Sequence, residues 1–110
     1  NINWNIGPNT TIVNSINDIS LKNVCCVMTD VFISMNDQDN EEKTSHLKAY
    51  SVTSELMNKT ASNSIFMHCL PAKVGLEVSD EVFRSDKSIV WRQAYNRMVA
   101  QKKLLHFIYQ

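Results

Sequence analysis

Glycine and proline are both scarce in this chain, two of each in 110 residues. With so little glycine there is no Gly-rich phosphate cradle of the kind that opens nucleotide-binding helices. The three cysteines include no C-x-x-C pair, so neither a zinc site nor a dithiol redox motif is indicated. Charge of one sign is not in excess either: 11 Lys and Arg balance 11 Asp and Glu. A nucleic-acid footprint would need a clustered basic face, and none is present. No apolar run approaches the ~20 residues of a membrane span. The chain opens on Asn1-Ile2-Asn3-Trp4, with neither a starting Met nor a signal-peptide pattern, as expected of a start partway through a longer protein. Its length suits one small domain at most, and no repeat or low-complexity segment divides it.

What is there alternates between short apolar runs and helical patterns. Thr11-Ile12-Val13 is β-branched and predicts a short strand. Ser15-Ile16-Asn17-Asp18 has capping-box spacing, with Asp in the usual Glu or Gln position, and predicts a helix to about Lys22. Val24-Cys25-Cys26-Val27-Met28 is continuously apolar, the pattern of a parallel strand buried on both faces. Cys25 and Cys26 are then expected to be buried, reduced thiols of a cytosolic protein. Residues 36–43 (NDQDNEEK) read as a solvated loop. Helices are predicted near Thr44–Tyr50 and Thr53–Ala61, the second with Val52, Leu56 and Met57 on one face.

Ser64-Ile65-Phe66-Met67 predicts a second buried strand, closed by His68-Cys69-Leu70-Pro71. A capped helical turn follows at Ser79-Asp80-Glu81-Val82-Phe83, and a last strand at Ser88-Ile89-Val90-Trp91. From Gln93 the pattern is helical, with Ala94, Met98, Gln101, Leu105 and Ile108 near one stripe, widened by Leu104 and Phe107. The whole predicts four strands and about four helices. That is an α/β fold, a parallel Rossmann-like sheet with helices on both faces, connected by right-handed βαβ units. In such open sheets ligands bind at the C-terminal ends of the strands. Asp30 and Cys69 both stand there.

Three segments give that edge a family. Met67-His68-Cys69-Leu70-Pro71-Ala72 resembles the HCLP signature of ornithine carbamoyltransferases, in the aspartate/ornithine carbamoyltransferase superfamily. Thr29-Asp30-Val31-Phe32-Ile33-Ser34-Met35 is similar to that family's TDVWxSMG. Gln93-Ala94-Tyr95-Asn96-Arg97-Met98, followed by Gln101-Lys102, is similar to its EAENR…QK. Taken singly these residues are weak signals. Asp30 alone reads as a strand-end cap, Arg97 as a surface helix residue, Cys69 as a core thiol, and Met35 and Met67 as core fillers. Three segments in family order carry the resemblance.

The resemblance implies carbamoyl transfer from carbamoyl phosphate to ornithine, giving citrulline and phosphate in arginine metabolism. No cofactor or metal is implied, nor a nucleic-acid or membrane partner. A cytoplasmic setting and a homotrimer of the full-length protein are implied as well. Asp30 would bind the ornithine α-amino group and accept a proton. Ser34 and Met35 would complete the amino-acid site, Met35 through its backbone. Cys69 would contact the ornithine side-chain nitrogen and the carbamoyl group. Leu70 would offer its carbonyl to the carbamoyl amide, Arg97 would hold the carbamoyl oxygen, and His68 would shape the loop.

The resemblance covers most of this chain but only about the last third of a family member. Residues 1–110 are then a single partial domain, the C-terminal part of the ornithine-binding domain. The S-T-R-T-R and H-P-x-Q motifs of the carbamoyl-phosphate domain are not among these residues. Nor is the Asn that contacts the amino acid's carboxylate. Aspartate carbamoyltransferases place Pro where Cys69 stands, which favours ornithine; putrescine carbamoyltransferases share these motifs closely and stay open. Phe32 stands for the usual Trp, Asn36 for Gly, and Tyr95 for Glu, while Lys73 and Val74 stand where basic residues are common. Relaxed constraint and a divergent bacterial lineage both account for such departures. A non-catalytic amino-acid-binding or remnant module of the same fold is the alternative reading.

Overall fold

The computed structural model of the chain describes residues 7–33 and 41–110. Two strands, β1 (Cys26–Thr29) and β2 (Ile65–His68), pair in parallel. The register sets Cys26 against Ile65, Val27 against Phe66, Met28 against Met67 and Thr29 against His68. Between them lie helices α1 (Glu41–Lys48) and α2 (Ser54–Asn58); after β2 come α3 (Asp80–Phe83) and α4 (Val90–Ile108). The order is that of an α/β fold, as the alternating pattern predicted.

The helix starts follow their capping residues. Thr53 accepts from the Leu56 amide and Ser79 from the Val82 amide, each filling one of the donors that a first helical turn leaves open. The core sits between β2 and the short helices. Val52, Met57, Phe66, Val78, Val82 and Val90 are buried together, with Val27, Leu56, Leu70 and Phe83 packed around them. Phe66 is its centre, with 0% of its surface exposed. Its backbone is paired on the side away from β1 as well: its N–H donates to the Lys87 carbonyl at 2.8 Å, and its carbonyl accepts from Ile89 at 3.0 Å.

Several expectations are corrected. Thr11-Ile12-Val13 forms no strand, and its side chains are exposed; β-branched residues make a strand only where another strand and a packing surface receive them. The Ser15 capping box forms, with Ser15 and Asp18 bonded reciprocally, but it opens a 3-10 turn of three residues, Ile16–Asp18, and no helix to Lys22. β1 is not buried on both faces: Cys26 and Met28 are exposed, and Cys25 just before it as well. β2 and the core cover one side of it, so only Val27 and Thr29 are half-buried. α1 begins at Glu41, inside the segment read as a loop, and α2 ends at Asn58, short of Ala61. The predicted strand at Ser88–Trp91 contributes one bridge, Ser88 with Phe66, before α4 starts at Val90. Burying Val90 against the core in the first turn of α4 outweighs the β propensity of Ile89 and Val90. The described residues therefore contain two strands where four were expected. Along α4 the apolar residues Trp91, Tyr95, Met98, Leu104, Leu105, Phe107 and Ile108 are exposed.

Phe66→Ala should destabilise the fold by about 3–5 kcal/mol, the usual cost of removing a buried aromatic side chain. Urea unfolding followed by circular dichroism reads this. A loss below about 1 kcal/mol would contradict Phe66 as the centre of the core.

Candidate active site

The register of β1 and β2 builds the site. Thr29 pairs with His68, so the next residues, Asp30 and Cys69, leave the sheet side by side. The Cys69 thiol donates to Asp30 Oδ1 at 2.7 Å. The same oxygen accepts from the Val31 amide at 2.6 Å. These donors, the thiol first and the amide second, hold the Asp30 carboxyl below the usual carboxylate range. The effect on Cys69 is the converse. Its hydrogen bond to Asp30, then burial, then the carboxylate's charge push the thiol up. At neutral pH the pair is therefore an ionised carboxylate beside a protonated thiol.

Past Cys69 the chain turns sharply. Leu70 has φ of +56°, in the left-handed region, and the Leu70–Pro71 peptide is cis. A left-handed conformation costs a residue other than glycine roughly 1–2 kcal/mol and needs local support. His68 supplies it: its Nδ1 accepts from the Leu70 amide at 3.0 Å. That leaves Nε2 as the donor toward Glu77 Oε2 at 3.1 Å. His68 and Glu77 are both completely buried. Glu77 also accepts from the Lys73 amide at 2.7 Å and from the Phe32 amide at 3.0 Å. Gln93 Oε1, in the first turn of α4, accepts from the His68 amide at 3.0 Å.

Beside the turn lies an open cleft of about 480 Å³, lined by Cys69, Leu70, Pro71, Ala72, Phe83, Trp91, Ala94 and Arg97. Trp91 stands edge-on to Phe83, with ring centroids 6.1 Å apart, as aromatic quadrupoles favour. Of the site residues expected from sequence, Asp30 and Cys69 touch, and Cys69, Leu70 and Arg97 share this cleft. Asp30 reaches it only through Cys69. Ser34 and Met35 lie outside the described residues. Glu77 was not foreseen. Its one signal is an acid inside the otherwise apolar stretch Val74-Gly75-Leu76-Glu77-Val78, nine residues after His68. Gly75, at φ of +90°, shapes that stretch into a turn which sends Glu77 inward. Among the described residues no group of three or more His, Cys, Asp or Glu could hold a metal ion. Nor is any helix of theirs long and apolar enough to cross a membrane.

The family model for the Asp/Orn binding domain of aspartate/ornithine carbamoyltransferase matches residues 4–108. The chain belongs to this family. An ornithine carbamoyltransferase of Nitrobacter winogradskyi is 42% identical over 88 residues, 80% of this chain and 29% of that protein. One from Rhodopseudomonas palustris is 48% identical over 80 residues, covering 73% of this chain and 26% of the relative. The ornithine carbamoyltransferase structure from Pyrococcus furiosus superposes with a TM-score of 0.70 at 40% identity, covering 77% of this chain and 28% of that one. The chain thus spans about a third or less of the length of the ornithine carbamoyltransferases it matches.

Removing the charge beside the thiol should change its chemistry. In Asp30→Asn the Cys69 thiolate should form at lower pH, so alkylation of Cys69 by iodoacetamide should accelerate at neutral pH. Peptide mass spectrometry, with rates taken at several pH values, reads this. An unchanged Cys69 profile would contradict the Asp30–Cys69 hydrogen bond.

Proposed function

We propose that these residues form the amino-acid half of an ornithine carbamoyltransferase site, within a partial ornithine-binding domain. The observation that carries the reading is the Cys69–Asp30 contact at the ends of paired parallel strands, beside a cleft that holds Arg97. Carbamoyl transfer requires a neutral amine aimed at the carbonyl carbon, and donors for charge that develops on oxygen. The ionised Asp30 suits an alkylammonium group and can take the proton that the amine gives up. The protonated Cys69 keeps its sulfur lone pairs for the side-chain N–H and orients that nitrogen. Leu70, turned by its left-handed backbone, would offer its carbonyl to the carbamoyl amide. The Arg97 guanidinium, always charged, would hold the carbamoyl oxygen.

In this reading the ornithine nitrogen forms a bond to the carbamoyl carbon. The bond from that carbon to the phosphate oxygen breaks, phosphate leaves with the electron pair, and the amine proton passes to the carboxylate. Ser34 and Met35 would complete the amino-acid site. Carbamoyl-phosphate binding beyond Cys69, Leu70 and Arg97 falls to a domain that these 110 residues do not supply. The family also carries a homotrimer and a cytoplasmic setting into the proposal.

A citrulline assay tests it, run on the 110 residues alone and in mixture with a family member's carbamoyl-phosphate domain. We expect no citrulline from the chain alone. In the mixture we expect activity that Asp30→Asn lowers by about a hundredfold or more, the range for groups that move a proton, and that Cys69→Ala also lowers, through loss of the orienting sulfur. Citrulline from the chain alone, or an active mixture indifferent to both substitutions, would contradict the proposal.

A further inference from the structure

Glu77 is a carboxylate with 0% of its surface exposed, one residue before the core residue Val78. A buried carboxylate is costly unless donors compensate it. Here three donors do, and each belongs to a segment that carries a site residue. The Phe32 amide lies two residues after Asp30 and donates to Oε1 at 3.0 Å. The Lys73 amide lies four residues after Cys69 and donates to Oε2 at 2.7 Å. His68 precedes Cys69 and donates from Nε2 at 3.1 Å, while its Nδ1 holds the amide of Leu70 on the other side of Cys69. Neither Phe32 nor Lys73 belongs to a strand or helix, so no sheet or helical ladder fixes their amides.

We infer that Glu77 is the positioning residue that locks the loop after β1 and the loop after β2 together, and so sets Asp30 against Cys69. The inference gives the proposed amino-acid site its rigid frame and rests on that reading for its functional meaning, but its contacts do not depend on any substrate. A packing role alone would be met by any side chain of the same shape. A locking role needs a carboxylate: three donors converge on it, and an amide of equal size brings one acceptor oxygen and turns an NH2 group toward a donor. The cost of that mismatch falls on the loops.

The test is the pH profile of Cys69 alkylation in Glu77→Gln, read cysteine by cysteine by mass spectrometry, with circular dichroism as the check on folding. We expect the Cys69 profile to move to lower pH, as in Asp30→Asn, and the Cys69 rate at pH 7 to rise above that of the unaltered chain. Cys25 and Cys26 should keep their rates, and the Asp30→Asn/Glu77→Gln double variant should gain nothing over Asp30→Asn. The groups that face Cys69 and Asp30, namely His68 and the cleft's Arg97, are the same in all three variants. A folded Glu77→Gln with the wild-type Cys69 profile overturns the inference, as does a gain shared by all three cysteines. If Glu77→Gln does not fold, amide hydrogen exchange of the unaltered chain decides. Phe32 and Lys73 should be protected and exchange at matching rates, as two donors released by one opening; an unprotected Phe32 amide overturns the inference. Failure to bind ornithine would leave these readouts untouched, so failure of the proposed function and failure of the lock are told apart.

Discussion

The parallel register of β1 and β2 is the constraint on which the site depends. Parallel strands bring their C-terminal ends to one edge, and a pairing of Thr29 with His68 makes Asp30 and Cys69 the first residues past it. A slip of one residue would turn every following side chain to the other face. Phe66 resists such a slip, because its ring is the centre of the core and its backbone is also bonded to Lys87 and Ile89. The core and the candidate site thus follow one another along one strand, and packing at Phe66 fixes where Cys69 leaves it.

Electrostatics divides the edge into two layers. The outer layer is Asp30 and Cys69, in which an exposed carboxylate gains a thiol donor and the thiol in return keeps its proton. The inner layer is His68 and Glu77, dry and fully hydrogen-bonded. The backbone amides of Phe32 and Leu70 connect the two. This arrangement leaves the Asp30 carboxylate exposed and the Cys69 thiol half-buried while their spacing is set from beneath. Arg97 comes from α4, whose first turn is tied to the end of β2 by Gln93, so the cation is placed by the same strand.

Much of this was legible in the sequence, and what failed shares a physical cause. Local signals were faithful: the Ser15 capping box, the capped turn at Ser79, and the strand before HCLP all form. The segments around Asp30, Cys69 and Arg97 pointed to one family, and the structure brings Asp30 against Cys69 and sets Cys69 and Arg97 in one cleft. Signals that need a distant partner were less faithful. Thr11-Ile12-Val13 has strand residues without a strand to join, and Cys25 and Cys26 sit in an apolar run whose outer side nothing described here covers. Glu77 left only one faint signal, an acid in an apolar stretch. Its importance lies in three contacts to residues 4, 9 and 45 positions away, and no residue-type pattern encodes those.

The central claim is that the end of β1 and the turn after β2 form one amino-acid site. Amide chemical shifts followed during titration of the chain with ornithine test it most directly. The account predicts saturable changes centred on Asp30, Cys69 and Leu70, absent in Asp30→Asn. Changes that spare these residues, or that persist unaltered in Asp30→Asn, would contradict it.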